Sequence, residues 1–528
     1  MITNLIVAID KKTNGIGVKG TIPWKIKDDM KWFKKMTINN AVIMGRKTYE
    51  SLQKPLIDRL NIVISKTLNK DGEYPDNVRI ACSVEDAIGI AEKEHYGMAF
   101  IIGGASVYKE SMDKDLINGS FYIDYINNDV EYDYDAFFPK ELPLKLSDYR
   151  DITPKGMDPR CHCVALHRFS KSPVLFNVLT HDSKYLNMLK DIYNNGITKH
   201  TRAGETLSIF PYYLTFNLQK GLPILNTKKV FAKGCIHELL WFLKGGTNIK
   251  YLVDNNVHIW DDDAYRYYTE LVNSGRVLNK LAFLNKDAFL EFVKREETLT
   301  LSDGKTNEIK TYHFGDLGPV YGKQWTDWNG INQIDELIEK LKNNPDDRRL
   351  IVSSWNVGEI KDMALPPCHY MSQWYTTELF FNERLSIYFK TAGDEAKASD
   401  DENYMSKVMD EMNIPKYRLS CMWSQRSVDT CLGFPYDLLS YSILVHMVAQ
   451  VTNMIPDKLH CILGDTHIYK NQLDDAYLQM VRNPYLFDYP TLELNKDITN
   501  IYDFKYDDIK IVDYQSYPAI KYKLSVGL

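Results

Sequence analysis

Short runs of aliphatic and β-branched residues punctuate the first third of the chain. They are LIVAI (5–9), AVIM (41–44), NIVIS (61–65), MAFII (98–102), SFYIDYI (120–126) and CHCVALHRF (161–169). Helical pieces alternate with them, and that rhythm predicts an α/β sheet domain over residues 1–170. From about residue 181 the apolar pattern lengthens. CIHELLWFLKG (235–245) and YDLLSYSILVHMVAQVTN (436–453) carry apolar residues over several helical turns. A second domain is therefore expected over residues 181–528, joined to the first by KSPVLFNVLT (171–180), a short junction that is not Gly/Ser-rich. Two charged stretches, near 266–312 (with KREETLTLSDGKTNEIK) and 391–416 (with TAGDEAKASDDEN), break the second pattern. They predict solvated or partly disordered surface insertions.

A length of 528 residues exceeds one ordinary core and agrees with two or three domains. Basic and acidic residues nearly balance, 64 against 70, which gives no footprint for nucleic acid and no polybasic membrane anchor. MITNLIVAIDKK has no basic leader and does not read as a signal peptide. The longest apolar stretches, such as 441–451, fall well short of a membrane span. Eight scattered Cys do not suggest a disulfide framework. A soluble, cytoplasmic protein is expected.

Gly15, Gly17 and Gly20 formally match a dinucleotide-binding fingerprint after LIVAI. That fingerprint needs a helix opening at the glycines, and Pro23 opposes one, so a glycine-bearing loop is expected instead. Asp29 is expected to open an amphipathic helix to which Met30, Trp32 and Phe33 lend apolar contacts. Taken alone, Asp28 and Asp29 read as acids at a helix start. Beside Trp24 and Phe33, however, Asp29 is poorly solvated and suited to hold a protonated heterocycle.

Four separated motifs change the weight of that reading: Pro23-Trp24 with Asp29, MGRKTYES (44–51), Arg59 before NIVIS, and FIIGGASVYKE (100–110). In this order they resemble dihydrofolate reductase across residues 1–170. The resemblance implies a mixed sheet with flanking helices and an NADPH site. That site would draw on Ala8, Ile16, Gly17, Gly45, Arg46, Lys47, Thr48, Ser65, Gly103, Gly104, Ala105 and Ser106. It implies that Asp29 anchors the pteridine and assists protonation of N5, that Arg59 holds the folate α-carboxylate, and that Phe33, Met30, Leu52 and Leu56 form apolar walls. One position departs: Asp124 stands where the family usually has Thr. Either Asp124 points away, or two neighbouring carboxyls raise the proton affinity of one of them. Cys161 and Cys163 lie in an alternating strand pattern and read as structural; no metal site is expected.

In the second domain Cys368 follows Pro366-Pro367, which fix the local backbone. A lone Cys is usually inert packing, whereas a nucleophile needs positive charge nearby. Arg202, Arg348, Arg349 and Arg426 are the candidates, and a phosphate would use several such planar donors together. Seven motifs run in series: TRAGETLSIF (201–210), HELLWFLKGGTN (237–248), GDLGPVYGKQW (315–325), PDDRRLIVSSWNVGE (345–359), ALPPCH (364–369), LSCMWSQRSVD (419–429) and GDTHIYKNQ (464–472). They resemble thymidylate synthase over about residues 181–528. The whole chain is similar to the bifunctional dihydrofolate reductase–thymidylate synthases of protozoa and plants.

The resemblance implies an α+β second domain that methylates dUMP to dTMP with 5,10-methylenetetrahydrofolate and releases the dihydrofolate that the first domain reduces. Cys368 would add to C6 of the pyrimidine. Arg202, Arg426 and Ser427 would bind the 5′-phosphate, with Arg348 and Arg349 arriving from the other subunit of a homodimer. Glu238 would organise proton transfer, Tyr321 would assist loss of the C5 proton with His369 nearby, and His467 and Tyr469 would hold the 3′-hydroxyl. Asp429 and Trp260 would contact the folate. At Asp437 the family normally has Asn, while related deoxycytidylate enzymes have Asp. dUMP is the expected substrate, with dCMP as the alternative that Asp437 raises.

Overall fold

The computed structural model describes residues 1–524 apart from 70–71, 141, 143–145, 169–179, 276, 278–283, 303–308, 394–395 and 398. Eight strands of the N-terminal part form one sheet. Their order is Val78–Ala81, Leu60–Ile64, Ala41–Gly45, Met98–Gly103, Ile2–Asp10, Ser120–Ile126, Cys161–Arg168 and Leu146–Asp151. The first six pair parallel and the last two join antiparallel. Parallel strands covered on both faces bury both side-chain rows, which is why they appear in the sequence as unbroken apolar runs. Each of the six runs picked out above overlaps one of these strands, Ser65 falling just past Leu60–Ile64 and residue 169 lying outside the described residues. On one face Trp32 and Met36, from the helix Lys27–Thr37, meet Ile6, Val42 and Met44; on the other, Val84, Ala87 and Val107 cover Leu5, Ile43 and Ile101.

The glycine loop forms the short strand Gly15–Gly17 against Ala136–Phe137, and the next helix opens only at Lys27. Asp29 therefore sits inside the first turn instead of heading it. Its side chain turns inward.

The C-terminal part is built on a seven-stranded sheet. Its path runs Ile197–Thr201, Gly204–Ile209, Ile455–Tyr469, Tyr417–Asp429, His369–Glu378 and Ile351–Ser353, with Tyr212–Asn217 on the other half of Ile455–Tyr469. The helix Gly433–Val451 packs against its inner face, its Phe434 beside Trp423, and the helix Ala232–Leu243 packs on Gly433–Val451 in turn. Gly433–Val451 is apolar nearly all round because it lies in the middle of this core.

Two expectations need correction. The described residues of the stretch 266–312 are not a solvated surface segment: Tyr268, Phe289, Val293, Leu299 and Tyr312 belong to the main core. Among the described residues Glu270, Glu291, Lys294 and Lys310 are exposed on the helices Asp261–Asn273 and Lys286–Lys294 and the hairpin Thr298–Ser302/Ile309–His313. Within 391–416, Glu402–Glu411 packs on Phe381–Ala392 around Tyr388, Met405, Met409 and Ile414, a small core of its own. Of the expected junction, 171–179 lies outside the described residues; Thr180 caps His181–Asn195, its hydroxyl accepting from the Ser183 amide at 2.9 Å.

The two parts interlock directly. The Trp32 indole donates to the Tyr477 hydroxyl at 3.0 Å, Lys35 pairs with Asp474 at 2.6 Å, and the Tyr122 hydroxyl donates to the Val481 carbonyl at 3.1 Å.

Candidate active sites

The first site gathers at the C-terminal ends of the central parallel strands. Asp29 is only 4% exposed, and the Trp24 indole donates to it at 3.3 Å. Burial pushes its carboxyl up to about 7; the charge of Asp124 adds to the rise and the Trp24 bond opposes it. Asp124 thus faces Asp29 and does not point away. Its Oδ1 accepts from the His162 amide at 2.9 Å, and its buried Oδ2 has no hydrogen-bond partner among the described residues. Phe33, Leu52 and Leu56 are half-buried, and Met30 is exposed on the helix. Arg59 is buried: its guanidinium donates to the Thr37 hydroxyl at 3.1 Å and to the Ile57 carbonyl at 3.0 Å.

The positions expected to hold NADPH fit that role. Gly45 and Gly104 begin the helices Arg46–Ser51 and Ala105–Asp113 without any side-chain cap, so the opening amides are unshielded. A Cβ on Gly104 would stand 3.5 Å from the Thr48 hydroxyl, so the two helix starts adjoin. Gly103 has φ +103°, and a Cβ there would press on the Tyr108 ring at 2.7 Å; only glycine suits this turn. Arg46, Lys47 and Ser106 are exposed around these starts, with Ala105 half-buried. Arg46 donates to Thr67 at 2.9 Å, and Ser65 caps the following turn by accepting from the Thr67 and Leu68 amides. Ala8 and Ile16 are half-buried, and Gly17 is buried.

The second site surrounds Cys368, between the two prolines and the strand His369–Glu378. The Cys368 amide donates to the Tyr321 hydroxyl at 2.7 Å. Arg426 donates to the carbonyls of Pro367 (2.9 Å) and Pro366 (3.0 Å), and its guanidinium stands 4.0 Å from the Cys368 sulfur. Burial nevertheless pushes the thiol up to about 11, Arg426 opposing and Asp437 adding to the rise. One arginine does not offset desolvation here.

Behind the thiol lies a wall of buried groups. His369 stacks on Tyr321 with ring centres 4.1 Å apart, and its Nδ1 meets the Tyr441 hydroxyl at 3.0 Å. Burial drives the imidazole down to about 3. Asp437 is pushed up to about 8 by burial and then by the charge of Glu238, against the Gln425 amide that donates to its Oδ2 at 2.9 Å. His369 and Asp437 approach to 3.9 Å, yet near neutral pH both are uncharged, so this is no ion pair. Glu238 accepts from the Trp260 indole at 2.7 Å and is held at about 7 by burial.

The strands Tyr417–Asp429 and Ile455–Tyr469 run parallel with Ser427 opposite Asp465 and Asp429 opposite His467. Asp429 accepts from the Cys431 and Leu432 amides at 3.0 and 2.9 Å; His467 packs edge-on against Tyr469 with centres 5.1 Å apart. The four arginines do not converge within one chain. Arg202 is exposed on a turn close enough to Tyr469 to favour its phenolate, while Arg348 and Arg349 project into solvent, Arg349 donating twice to Asp347 at 3.1 Å.

Two members of this wall escaped the sequence reading. Gln425 shares the alternating strand row of Ser427 and Asp429, and Tyr441 lies one helical turn after Asp437. Those spacings were signal enough to nominate both.

Two family models match the chain. One described as dihydrofolate reductase matches residues 2–156, and one described as thymidylate synthase matches residues 183–526. The chain is 32% identical to a bifunctional dihydrofolate reductase-thymidylate synthase of Paramecium tetraurelia, covering 97% of this chain and 96% of that protein. It is 31% identical to a bifunctional dihydrofolate reductase-thymidylate synthase of Zea mays over 99% and 96% of the two chains. A thymidylate synthase of Malacoplasma penetrans is 40% identical over 65% of this chain and 99% of its own length.

Proposed function

The chain belongs to the bifunctional dihydrofolate reductase–thymidylate synthases, and from that premise we propose how its residues divide the chemistry. It methylates dUMP to dTMP with 5,10-methylenetetrahydrofolate and reduces the resulting dihydrofolate to tetrahydrofolate with NADPH. The observation that carries the assignment of residues is the grouping of Cys368, Tyr321, Arg426 and the buried Glu238–His369–Asp437 wall in one pocket, apart from Asp29.

In the synthase site Cys368 is the nucleophile toward C6 of the base. Its thiol needs more positive charge than Arg426 supplies, and the exposed Arg348 and Arg349 provide it from a second copy of the chain. Arg202, Arg426 and Ser427 take the 5′-phosphate, and His467 and Tyr469 take the 3′-hydroxyl. Glu238, poised at about 7, exchanges protons with the base near neutral pH. Neutral His369 orients Tyr321 for removal of the C5 proton; Trp260 and Asp429 border the folate. Neutral Asp437 has a hydroxyl to donate to O4 of uracil and an oxygen to accept from N3–H.

In the reductase site Asp29 holds the pteridine and Arg59 the α-carboxylate of the substrate, with Phe33, Met30, Leu52 and Leu56 along the path between them. Gly45, Arg46, Lys47, Thr48, Ser65, Gly103, Gly104, Ala105 and Ser106 hold NADPH, with Ala8, Ile16 and Gly17 beside its nicotinamide. Bound there, NADPH supplies a hydride.

Among the described residues no helix is long and apolar enough to cross a membrane. The proposed setting is a cytoplasmic homodimer joined through the second sheet. Ile351, Tyr375, Met422, Ile462 and Tyr213 line its outer face, and all but the half-buried Met422 are exposed.

One experiment tests the joined activity. With dUMP, methylenetetrahydrofolate and NADPH, the protein should oxidise one NADPH per dTMP formed, and none without dUMP. NADPH oxidation with no dTMP formed, or dTMP formed with no oxidation, would contradict the reading.

A further inference from the structure

Asp124 lies in the middle of Ser120–Ile126, opposite Ala8 on one neighbouring strand and Cys163 on the other. It is fully buried, a costly place for a second carboxyl beside Asp29 unless the pair carries a proton. The surroundings of the two acids are unequal. Asp124 accepts from the His162 amide at 2.9 Å, with Cys163 opposite it across the strand pair and its thiol turned to the Met157 sulfur at 3.6 Å. Asp29 has a single donor, the Trp24 indole at 3.3 Å. The shorter bond from the backbone amide favours the anion more than the longer bond from the indole, so the negative charge belongs on Asp124 and the proton on Asp29.

We propose that Asp124 is a positioning residue of the reductase site: held as the anion by the His162 amide, it keeps the shared proton of the buried acid pair on Asp29. This rests on the reading of Asp29 as the pteridine acid. The unpartnered Oδ2 of Asp124 leaves the pair room to pass that proton between its members. Reduction adds a hydride to C6 and a proton to N5 of dihydrofolate; the proton comes from the pair, and solvent replaces it.

The groups facing the pair are few. Asp29 is on the helix, Cys161, His162 and Cys163 are on the neighbouring strand, and Asp158 precedes that strand. The Ile2–Asp10 strand presents Ala8 opposite Asp124, and Asp10, two residues further along the same row, accepts from Thr13 and Asn128. Burial and the nearby acids push both thiols up, so they remain neutral through the working pH range. His162, whose charge when present would favour the Asp124 anion, acts in the same sense as its amide.

The test is the pH profile of dihydrofolate reduction in the full-length protein, in wild type, Asp124→Asn and Asp124→Ser. Wild-type activity should fall as pH rises through about 7, where Asp29 loses its proton. Both variants should show that limb moved to lower pH by about one unit, the like charge having been removed. The affinity of a 2,4-diaminopteridine antifolate, measured without NADPH, should show the same shift in its pH dependence. dTMP formation by the same preparations reports whether the chain has folded. An unmoved limb in folded variants overturns the proposal, as does a wild-type profile flat from pH 6 to about 9. Failure of the underlying reading is separate: it would appear as near-normal reduction by Asp29→Asn.

Discussion

Asp437 must serve two neighbours with one carboxyl. Gln425 donates to one oxygen at 2.9 Å, which leaves that oxygen's second lone pair to accept from N3–H and the proton on the other oxygen to donate to O4. A neutral carboxyl can give uracil what an amide gives it. An ionised one faces O4 with like polarity. Because burial and Glu238 push this group up to about 8, its proton is present at neutral pH and is lost as pH rises through that value. The KM for dUMP should therefore climb above about pH 8, and Asp437→Asn should abolish that rise. Glu238 and Asp437 are coupled, so any limb read from such a profile belongs to the pair. The Asn variant should also prefer dUMP to dCMP more strongly, by about 5- to 150-fold, the worth of one buried group left unpaired against cytosine. Equal KM at pH 7 and 9.5 in wild type would remove Asp437 from base reading. Asp29 yields a related expectation: Asp29→Asn keeps the shape, loses the acid, and should lower reduction by about 10²–10⁴ near neutral pH.

Helices and strands show what a sequence can and cannot disclose. Five of the six runs of the first sheet were legible because parallel strands leave no polar row to confuse the pattern; the sixth, in Cys161–Arg168, is antiparallel and was legible by its alternation. The facing of Asp124 by Asp29, Cys161 and Cys163 was not, since it depends on the register of Ser120–Ile126 against Cys161–Arg168. The stretch 266–312 misled because its charges are numerous. Even so, the alternation of Thr298–Ser302, with Leu299 and Leu301 buried, is an ordinary half-buried strand signal. The docking of Lys27–Thr37 on Leu473–Met480 had no sequence signature, because Trp32 and Tyr477 are 445 residues apart. Their contact ties the Asp29 helix to the segment that directly follows His467 and Tyr469. Tyr477 accepts from Trp32 and donates to the Ile152 carbonyl. Tyr477→Phe leaves both groups buried without a partner and should lower stability by about 1–3 kcal/mol in urea unfolding followed by tryptophan fluorescence. An unchanged midpoint would show that the helix docking does not depend on this hydroxyl.

At the scale of the whole molecule, the scattered arginines point to assembly. Arg349 is 84% exposed on its side chain, an unlikely station for a phosphate ligand of its own pocket. A second copy packed on the outer face of the seven-stranded sheet would cover Tyr375 and Ile351 and bring Arg348 and Arg349 to a neighbouring Cys368. Cys368→Ser and Arg348→Ala are each expected to abolish dTMP formation alone. Subunit exchange between them should restore about a quarter of wild-type activity, since half the dimers are hybrids with one intact site each. No recovery under proven exchange would argue against sharing.

The central claim is that two separate sites, one built on Cys368 and one on Asp29, work in a single chain. The most direct measurement assays both reactions in both point variants. Cys368→Ser should form no dTMP yet reduce dihydrofolate at the wild-type rate, and Asp29→Asn should lose reduction while dTMP formation from supplied methylenetetrahydrofolate continues. Loss of both reactions in either folded variant would contradict the account.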